Sequence, residues 1–381
     1  MDRKSISNSL LLILMVIWVV IIPQVEANGV DHKIFSKVLN ESRTISVILP
    51  ESYNQNLGVR YPVLYVLDGV QQLPHTAGTA KSLYTYGEMP DLIIVGIDST
   101  NRTRDMTPTM LPGVENSGKA DIFLKFLNSE LKPYINNQYR TNNYNMLAGH
   151  SFGGLLVTYS LIVDPSSFQA RFAFSPSLRF LGQKLFDQLG TTVKNNTDSK
   201  LYFYMNVGAE QDRVLAAFGT VSKILEQASS NLIWHAVELT QETHFTTPII
   251  GQFQGFRELF NNWKLTLAIS RQGVSAIEAF YKSLSSRVGY NVKAEEAQVN
   301  NAAYELLNVT GDADLAKKIF ELNKNNYPES PNAYIGLARI SQMKGNIEST
   351  AQLLEKAIAL VDKDDVRYHR LKERLSGIQQ R

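Results

Sequence analysis

Short apolar runs alternate with longer amphipathic stretches between residues 43 and 265. The runs at 62–67 and 92–97 are continuously apolar, which is typical of strands in a parallel sheet that helices cover on both faces. The other predicted strands lie at 44–49, 145–148, 201–207 and 233–239, and the predicted helices at 119–134, 153–164, 214–228 and 249–262. This alternation predicts an α/β fold with a doubly wound sheet.

The strand pattern ends near residue 270, and the chain beyond it is rich in helix-forming residues. Gly311 and Gly345 are each followed by Asp or Asn, and they lie 34 residues apart, which is the period of the tetratricopeptide repeat (TPR). We therefore predict an all-α, TPR-like helical domain over residues 269–381, with an additional helix at 274–285. Two repeats are few for an independent solenoid. We expect this tail to pack on the α/β domain, over its active-site mouth, or to pair with a protein partner or a second copy.

The first residues have the pattern of a secretory signal peptide. Arg3 and Lys4 precede an apolar run at 10–22. Small residues occupy positions −3 and −1, Val25 and Ala27, relative to a cleavage site after Ala27. The run is shorter than the roughly 20 residues that a membrane-spanning helix needs. We predict cleavage after Ala27, an α/β domain over residues 28–268, and a periplasmic or secreted mature chain without a stable membrane span.

Composition and charge narrow the classes of function. Lys and Arg number 38 against 36 Asp and Glu, a net charge of +2, which argues against a dedicated nucleic-acid-binding protein. The chain has no Cys, so disulfides, thiol catalysis and Cys-ligated metals are excluded. His75, His150 and Asp98 are too scattered to indicate a metal site. We expect neither a metal nor a cofactor.

The segment Gly149-His150-Ser151-Phe152-Gly153 has the form G-x-S-x-G, directly after a predicted strand and directly before a predicted helix. That context is what a nucleophile elbow needs, because the turn is tight and lifts the serine hydroxyl clear of the sheet. A tight turn without chemistry is the alternative. The context predicts Ser151 as a catalytic nucleophile.

A serine nucleophile needs a base, which follows it in the chain in proteins with this elbow. His235, His244 and His369 follow Ser151. His235 lies within a predicted strand and His369 in the helical tail, whereas His244 lies in a loop after a strand. The expected base is His244.

Two carboxylates after the strand at 201–207 are candidates for the acid that orients the base. Glu210 is nearer to the strand end and is preferred. Asp212 stays an alternative, although it also suits the N-cap of a helix that begins near Val214.

An oxyanion hole needs two backbone N–H groups. The residue after the nucleophile, Phe152, is expected to supply one. The second is expected from the loop Asp68-Gly69-Val70, with Val70 as the donor, although the same loop reads equally as a plain turn.

Several segments together resemble the putative esterase (esterase D-like) family. They are 61–69, 94–97 with Arg102 and 104–108, the elbow at 148–154, and 242–245. The family includes S-formylglutathione hydrolases, enterobactin and salmochelin esterases, feruloyl esterases and mycobacterial mycolyltransferases, and the resemblance covers roughly residues 40–265. It implies an α/β-hydrolase fold, carboxylic-ester chemistry, an oxyanion N–H from Val70 and an Asp68 that binds a substrate hydroxyl. The acid varies in position within the family, so the choice between Glu210 and Asp212 stays open.

The sequence therefore predicts an exported serine esterase that acts on a small-molecule ester. A siderophore trilactone, a feruloyl or acetyl sugar ester and a peptide-linked ester all fit, because the loops at 70–90, 98–118 and 176–200 shape the pocket. The alternatives are an acyltransferase of the same fold, a TPR-mediated interaction protein with a vestigial hydrolase domain, and a cytosolic S-formylglutathione hydrolase, which the leader disfavours.

Overall fold

The computed structural model describes residues 29–54, 58–196 and 200–380. The predicted signal peptide, residues 1–27, lies outside the described residues. The strands are β1 (Val30–Ser36), β2 (Glu41–Ile48), β3 (Tyr61–Leu67), β4 (Ile93–Ile97), β5 (Thr141–His150), β6 (Ala170–Phe174), β7 (Leu201–Val207) and β8 (Leu232–Glu238).

Helices follow most of the strands and make up the whole of the tail. Those of the sheet region are α1 (Gly69–Thr85), α2 (Arg102–Met106), α3 (Ala120–Phe126), α4 (Lys132–Gln138), α5 (Phe152–Val163), α6 (Gln183–Asn195), α7 (Asp212–Leu225) and α8 (Thr247–Leu259). Those of the tail are α9 (Leu267–Ser270), α10 (Val274–Val288), α11 (Glu296–Thr310), α12 (Ala313–Asn326), α13 (Pro331–Met343), α14 (Ile347–Ala359) and α15 (Val366–Gln379). Within the described ranges, no helix has both the length and the apolar character that crossing a bilayer requires.

The eight strands form one sheet in the order β1-β2-β4-β3-β5-β6-β7-β8. β2 pairs antiparallel with both β1 and β4, and the pairs from β4 through β3 to β8 are all parallel. The carboxyl ends of β3, β5, β7 and β8 therefore lie along one edge of the sheet. In open parallel sheets, ligands bind at that edge.

Helices cover both faces of the sheet, as the continuously apolar strands predict. On one face, side chains from α3, α5, α6 and α7, such as Phe123, Leu155 and Val221, share a core with the strands. On the other face, α1 and α8 pack beside the tail helices, with Leu73, Phe256 and Leu306 in one continuous core. The doubly wound sheet is confirmed.

Two strands and two long helices were not predicted. β1 is an edge strand in which polar residues interrupt the apolar pattern, and β6 contains the fully buried Arg171. Arg171 is tolerated because its guanidinium donates to the carbonyl oxygens of Phe168, Asp164 and Pro165. α1 carries Pro74 within it, which masks a helical pattern. The segments 70–90 and 176–200, expected as loops, therefore hold most of α1 and α6.

The tail repeats one turn geometry. Gly311 and Gly345 both have a φ of +73°, a conformation that favours glycine. In the residues that follow them, the side chains of Asp312 and Asn346 accept hydrogen bonds from backbone N–H groups in the first turn of α12 and of α14. The α11–α12 and α13–α14 hairpins are thus closed in the same way.

The tail packs against the sheet region at the amino ends of the strands. The Trp263 indole donates to Glu295 Oε1 at 2.8 Å, and Gln298 Oε1 accepts from the Leu265 N–H at 2.9 Å. The Tyr144 and Tyr290 rings lie 4.9 Å apart. These contacts place the start of α11 far from the carboxyl edge, so this part of the tail does not lie over the mouth of the predicted active site.

Candidate active site

Ser151 lies in the sharp turn between β5 and α5, with φ 59° and ψ −112°. A positive φ is strained for a residue with a side chain, and such strain is found mostly at functional sites. The turn also brings backbone segments together: a Cβ added to Gly149 would lie 2.5 Å from the carbonyl carbon of Gly153, and one on Gly154 would lie 2.9 Å from Pro176 Cβ. Glycine at these positions is a steric requirement of the turn.

Hydrogen bonds from the β6 side hold the Ser151 turn. The Ser151 N–H donates to Phe174 O at 2.9 Å, and Ser151 O accepts from the Ser177 N–H at 3.0 Å. The Ser177 hydroxyl also lies 3.4 Å from Ser151 Oγ. Sequence reasoning missed Ser177, since it belongs to a segment for which no conformation was predicted.

The loops after β7 and β8 bring together the predicted acid and base. His244 Nδ1 lies 2.6 Å from Glu210 Oε1. A carboxylate oxygen only accepts, so Nδ1 carries the proton and Nε2 is left with a free lone pair. The Glu210 side chain is 9% exposed and the His244 side chain 29% exposed, so the pair is sheltered while the imidazole stays accessible.

Backbone pairing between these two loops explains why Glu210, rather than Asp212, meets the base. The Ala209 N–H donates to Glu242 O at 2.8 Å, which fixes Glu210 beside the base loop. Asp212 is exposed and is the first residue of α7, with Gln211 as the N-cap. The helix was predicted to begin near Val214, with Asp212 suited to be its N-cap. It begins two residues earlier, at Asp212 itself, so Asp212 is not the N-cap.

His150 links the elbow to the base. Its Nε2 lies 2.7 Å from His244 O, and the two rings are 4.6 Å apart. A carbonyl oxygen only accepts, so Nε2 of His150 carries the proton. Burial lowers the pKa of His150 to about 4, so this ring is neutral at neutral pH. Among the described residues, no hydrogen bond joins His244 to Ser151 itself, an arrangement common in enzymes without bound substrate.

The other two candidate bases lie elsewhere. His235 lies within β8, with its ring 5.7 Å from the ring of Tyr202. His369 lies in α15 beside Tyr368, at the end of the tail. Neither histidine is at the carboxyl edge of the sheet, so His244 is the one that the fold brings to the elbow.

The two predicted oxyanion donors differ in their surroundings. Phe152 is the first residue of α5, where backbone N–H groups have no partner within the helix. The Val70 N–H instead donates to Asp98 Oδ1 at 3.2 Å. Burial raises the pKa of the Asp98 carboxyl. A substrate oxygen would have to displace this carboxyl before Val70 could serve as a donor.

Asp68 has partners of its own. Its carboxylate accepts from Arg102 Nε at 2.9 Å and from Ser99 Oγ at 2.6 Å. Arg102 in turn donates to His150 O at 3.0 Å. Asp68 is 6% exposed, so the predicted role in binding a substrate hydroxyl competes with an ion pair that braces the elbow. The sequence pattern includes Arg102 but does not indicate a role for it.

The surface around the elbow is apolar and aromatic. Phe245 is 80% exposed and Val70 76% exposed. The Phe152 and Phe180 rings are 5.5 Å apart, and the Arg102 guanidinium lies 5.7 Å above the Phe152 ring. This rim suits a substrate with an apolar or aromatic body.

No group of His, Asp and Glu side chains in the described ranges is arranged to hold a metal ion. The scattered residues considered above have separate partners: His75 pairs with Gln72 at 2.9 Å, and Asp98 with the Val70 N–H.

Strand order, the single antiparallel β2 and a serine at positive φ between β5 and α5 define an α/β-hydrolase-like fold. The profile of the family described as "Putative esterase" matches residues 36–268, more than half of the chain. The chain belongs to this family.

Two relatives are named as siderophore esterases. The ferri-bacillibactin esterase BesA of Bacillus subtilis is 30% identical over 186 residues, which cover 41% of this chain and 63% of BesA. The siderophore triacetylfusarinine C esterase of Aspergillus fumigatus is 34% identical over 83 residues, which cover 21% of this chain and 28% of that protein. The matched regions thus span less than two thirds of either relative.

Two solved structures are also similar to this chain. An IroE-like serine hydrolase from Shewanella oneidensis is 30% identical with a TM-score of 0.68, covering 78% of this chain and 99% of that one. An uncharacterised protein from Capnocytophaga ochracea is 18% identical with a TM-score of 0.63, covering 92% of this chain and 99% of that one. The second likeness concerns the fold alone, and its coverage includes part of the helical tail.

Proposed function

We propose that the protein is a serine esterase that uses Ser151 as nucleophile, His244 as base and Glu210 as the acid that orients the base. The observation that carries this proposal is the short contact between His244 and Glu210 at the edge of the sheet where Ser151 occupies a strained turn. His150 contacts the base and directly precedes the nucleophile, which supports one connected site. The Phe152 and Val70 N–H groups complete the proposal as oxyanion donors.

In the proposed reaction, Ser151 Oγ attacks the ester carbonyl carbon while His244 Nε2 takes the hydroxyl proton. The C–O bond to the alcohol breaks, and the alcohol leaves with that proton, so that an acyl-Ser151 ester remains. Water then attacks the acyl carbon, giving one proton to His244. The carboxylic acid leaves and Ser151 regains its proton. The oxyanion donors stabilise the negative charge of both tetrahedral intermediates.

The first test is hydrolysis of p-nitrophenyl acetate and butyrate by residues 28–381, with Ser151→Ala beside the wild type. We expect a burst of nitrophenol followed by slower turnover, and a loss of about 10⁴-fold or more in the variant. Equal rates in the two proteins, on these esters and on the larger esters below, would contradict the proposed nucleophile. A matched Ser177→Ala variant, which keeps the nucleophile, should retain the burst.

Siderophore esters are the proposed substrate class. Two relatives are named as siderophore esterases, and the aromatic rim fits a substrate with aromatic rings. Comparison of kcat/KM for a ferric catecholate trilactone with feruloyl and acetyl sugar esters tests this. A sugar ester preferred over the trilactone would contradict the substrate class and leave the esterase proposal intact.

We also propose that the chain is exported and that its tail is TPR-like. The leader pattern at 1–27 and the two glycine turns of equal φ are the supporting observations. Cell fractionation with mass spectrometry of the mature amino terminus tests export, with Asn28 expected as the first residue. Retention of the leader in a cytosolic product would contradict it.

A further inference from the structure

A cavity lies at the opposite end of the sheet from Ser151. Its volume is about 560 Å³, within the range of small-molecule sites. It touches Thr141 at the start of β5, whereas Ser151 follows the end of the same strand, roughly 30 Å away at the rise of an extended chain. The loop between α10 and α11 closes one side, so the cavity lies between the sheet region and the tail.

Three acidic residues line this cavity: Asp91, Glu295 and Glu296. The Glu296 carboxylate accepts hydrogen bonds from the tail itself. The other two, Asp91 and Glu295, belong to different elements. Asp91 precedes β4 and accepts from Ser52 Oγ at 2.5 Å. Glu295 is the N-cap of α11 and accepts from the Trp263 indole and from Gln298. Neither is ion-paired with Lys, Arg or His in the described part of the chain, although both carboxyl groups are largely removed from water.

The walls of the cavity are aromatic. They include Tyr61, Tyr84, Trp263, Tyr290 and Tyr327. The Tyr290 hydroxyl is buried and has no hydrogen-bond partner among the described residues. Arg60 and Lys293, the two cationic residues that line the cavity, are exposed at its rim. The interior therefore combines negative charge, ring faces and one free hydroxyl.

We propose that this cavity binds a small organic cation, an ammonium or quaternary ammonium compound with an apolar body. Ring faces attract a cation through their quadrupoles, and a desolvated carboxylate supplies the counter-charge. The free hydroxyl of Tyr290 supplies a hydrogen-bonding group for the polar part of such a ligand. The site is distinct from the proposed esterase site and does not depend on that activity.

The state of the two acids without a ligand agrees with this assignment. Burial raises the pKa of Asp91 to about 6 and that of Glu295 to about 7. The Asp91 carboxylate also raises the pKa of Glu295, since the two groups repel when both are ionised. A bound cation would favour both ionised forms.

Choline and its neutral isostere 3,3-dimethylbutan-1-ol provide the test, because they share size and shape and differ in charge. Isothermal titration and tryptophan fluorescence report binding to the full mature chain, with Trp263 in the cavity wall. We expect choline to bind at least about tenfold more tightly than the isostere. Equal affinity, or no binding of choline up to millimolar concentration, would overturn the proposal.

Two variants locate the binding. Glu295→Gln keeps a hydrogen-bond acceptor for Trp263 and should weaken choline binding about tenfold, as should Asp91→Asn, while neither changes the affinity for the isostere. Glu305→Gln, at an exposed position on α11, is the matched control and should bind as the wild type does. Unchanged choline affinity in both cavity variants, with thermal unfolding confirming that they fold, would overturn the assignment.

Discussion

Buried carboxyl groups have different kinds of partner at the two ends of the sheet. At the carboxyl edge, Asp68 is paired with Arg102, and Glu210 with His244. At the amino end, Asp91 and Glu295 have neutral hydrogen-bond donors but no cationic partner among the residues that the structure describes, and burial raises the pKa of each. A carboxylate that is already bound to a basic side chain orients that side chain, whereas one without such a partner is available to a ligand.

The two ends of the sheet also differ in how precisely they position individual atoms. The pairs at the carboxyl edge fix particular atoms: one proton on His244 Nδ1 and one carbonyl, that of His150, held by Arg102. The groups at the amino end surround a volume without fixing an atom. The first arrangement suits bond making, and the second suits binding. The following predictions test that contrast, from the largest expected effect to the smallest.

Replacement of His244 by Ala should have the largest effect, because the proposed base is lost. We expect kcat/KM for p-nitrophenyl butyrate to fall about 10⁴-fold. His235→Ala is the matched control, since His235 lies within β8 against Tyr202, and it should stay near the wild-type value. Similar losses in the two variants would show that the pair at the carboxyl edge has no special role.

The choice between the two acids is tested by Glu210→Gln against Asp212→Asn. The first removes the charge that fixes His244, and we expect kcat to fall about 10³-fold with little change in KM. The second alters an exposed residue at the start of α7 and should leave kcat unchanged. A larger effect of Asp212→Asn would reverse the assignment.

Loss of the Asp68 charge should lower stability more than activity on small esters. Asp68→Asn leaves Arg102 without its counter-charge, and we expect urea denaturation to show a loss of about 1–3 kcal/mol, reduced from the buried-pair range because Arg102 is 35% exposed. Asp314→Asn, which removes an exposed partner of Lys344, should leave the urea midpoint unchanged. Equal midpoints for both variants and the wild type would mean that the pair does not brace the elbow.

The smallest effect is a pH dependence of stability. The folded Glu295 keeps its proton up to a pKa of about 7, whereas in the unfolded chain it ionises near its usual value, so stability falls as pH rises between these values. Asp91 shifts in the same direction. Asp91 also raises the pKa of Glu295 by charge repulsion. Glu295 in turn raises the pKa of four nearby tyrosines, which stay neutral in this range: Tyr84, Tyr281, Tyr290 and Tyr327.

Glu295→Gln should therefore gain a few degrees in Tm relative to the wild type at about pH 8, and gain less at about pH 5. Thermal unfolding of both proteins at the two pH values checks this. A Tm difference that does not depend on pH would mean that Glu295 is ionised in the folded protein, and the contrast between the two ends would then be lost.

The elbow was predictable because its requirements are local. A strand, a turn with glycines at fixed positions and a helix all lie within about 20 residues, and the steric contact of Gly149 with Gly153 is within that segment. His244 and Glu210 were predictable from their place after strands, since parallel strands end at one edge. Their proposed roles remain predictions.

Residues that act through distant partners were not predictable. Arg102 meets Asp68 and His150 only because β3, β4 and β5 are neighbours in the sheet, and Ser177 reaches Ser151 only through β6. The cavity joins Asp91 to Glu295, which lie on opposite sides of the boundary between sheet region and tail. Neither hydrophobic periodicity nor a short motif predicts such contacts.

The apolar core that joins Leu64 of β3 to Ile340 of α13 has a consequence for how the protein unfolds. Because one cluster includes the sheet and most of the tail, those parts gain their stability together and should melt in one cooperative transition. A smaller cluster, with Leu354, Leu371 and Ile378, holds α14 and α15. This terminal segment can exchange its amide hydrogens through local opening while the rest stays folded. A truncation near residue 268 would therefore cut through a cooperative unit, whereas one after α13 would cut near its boundary.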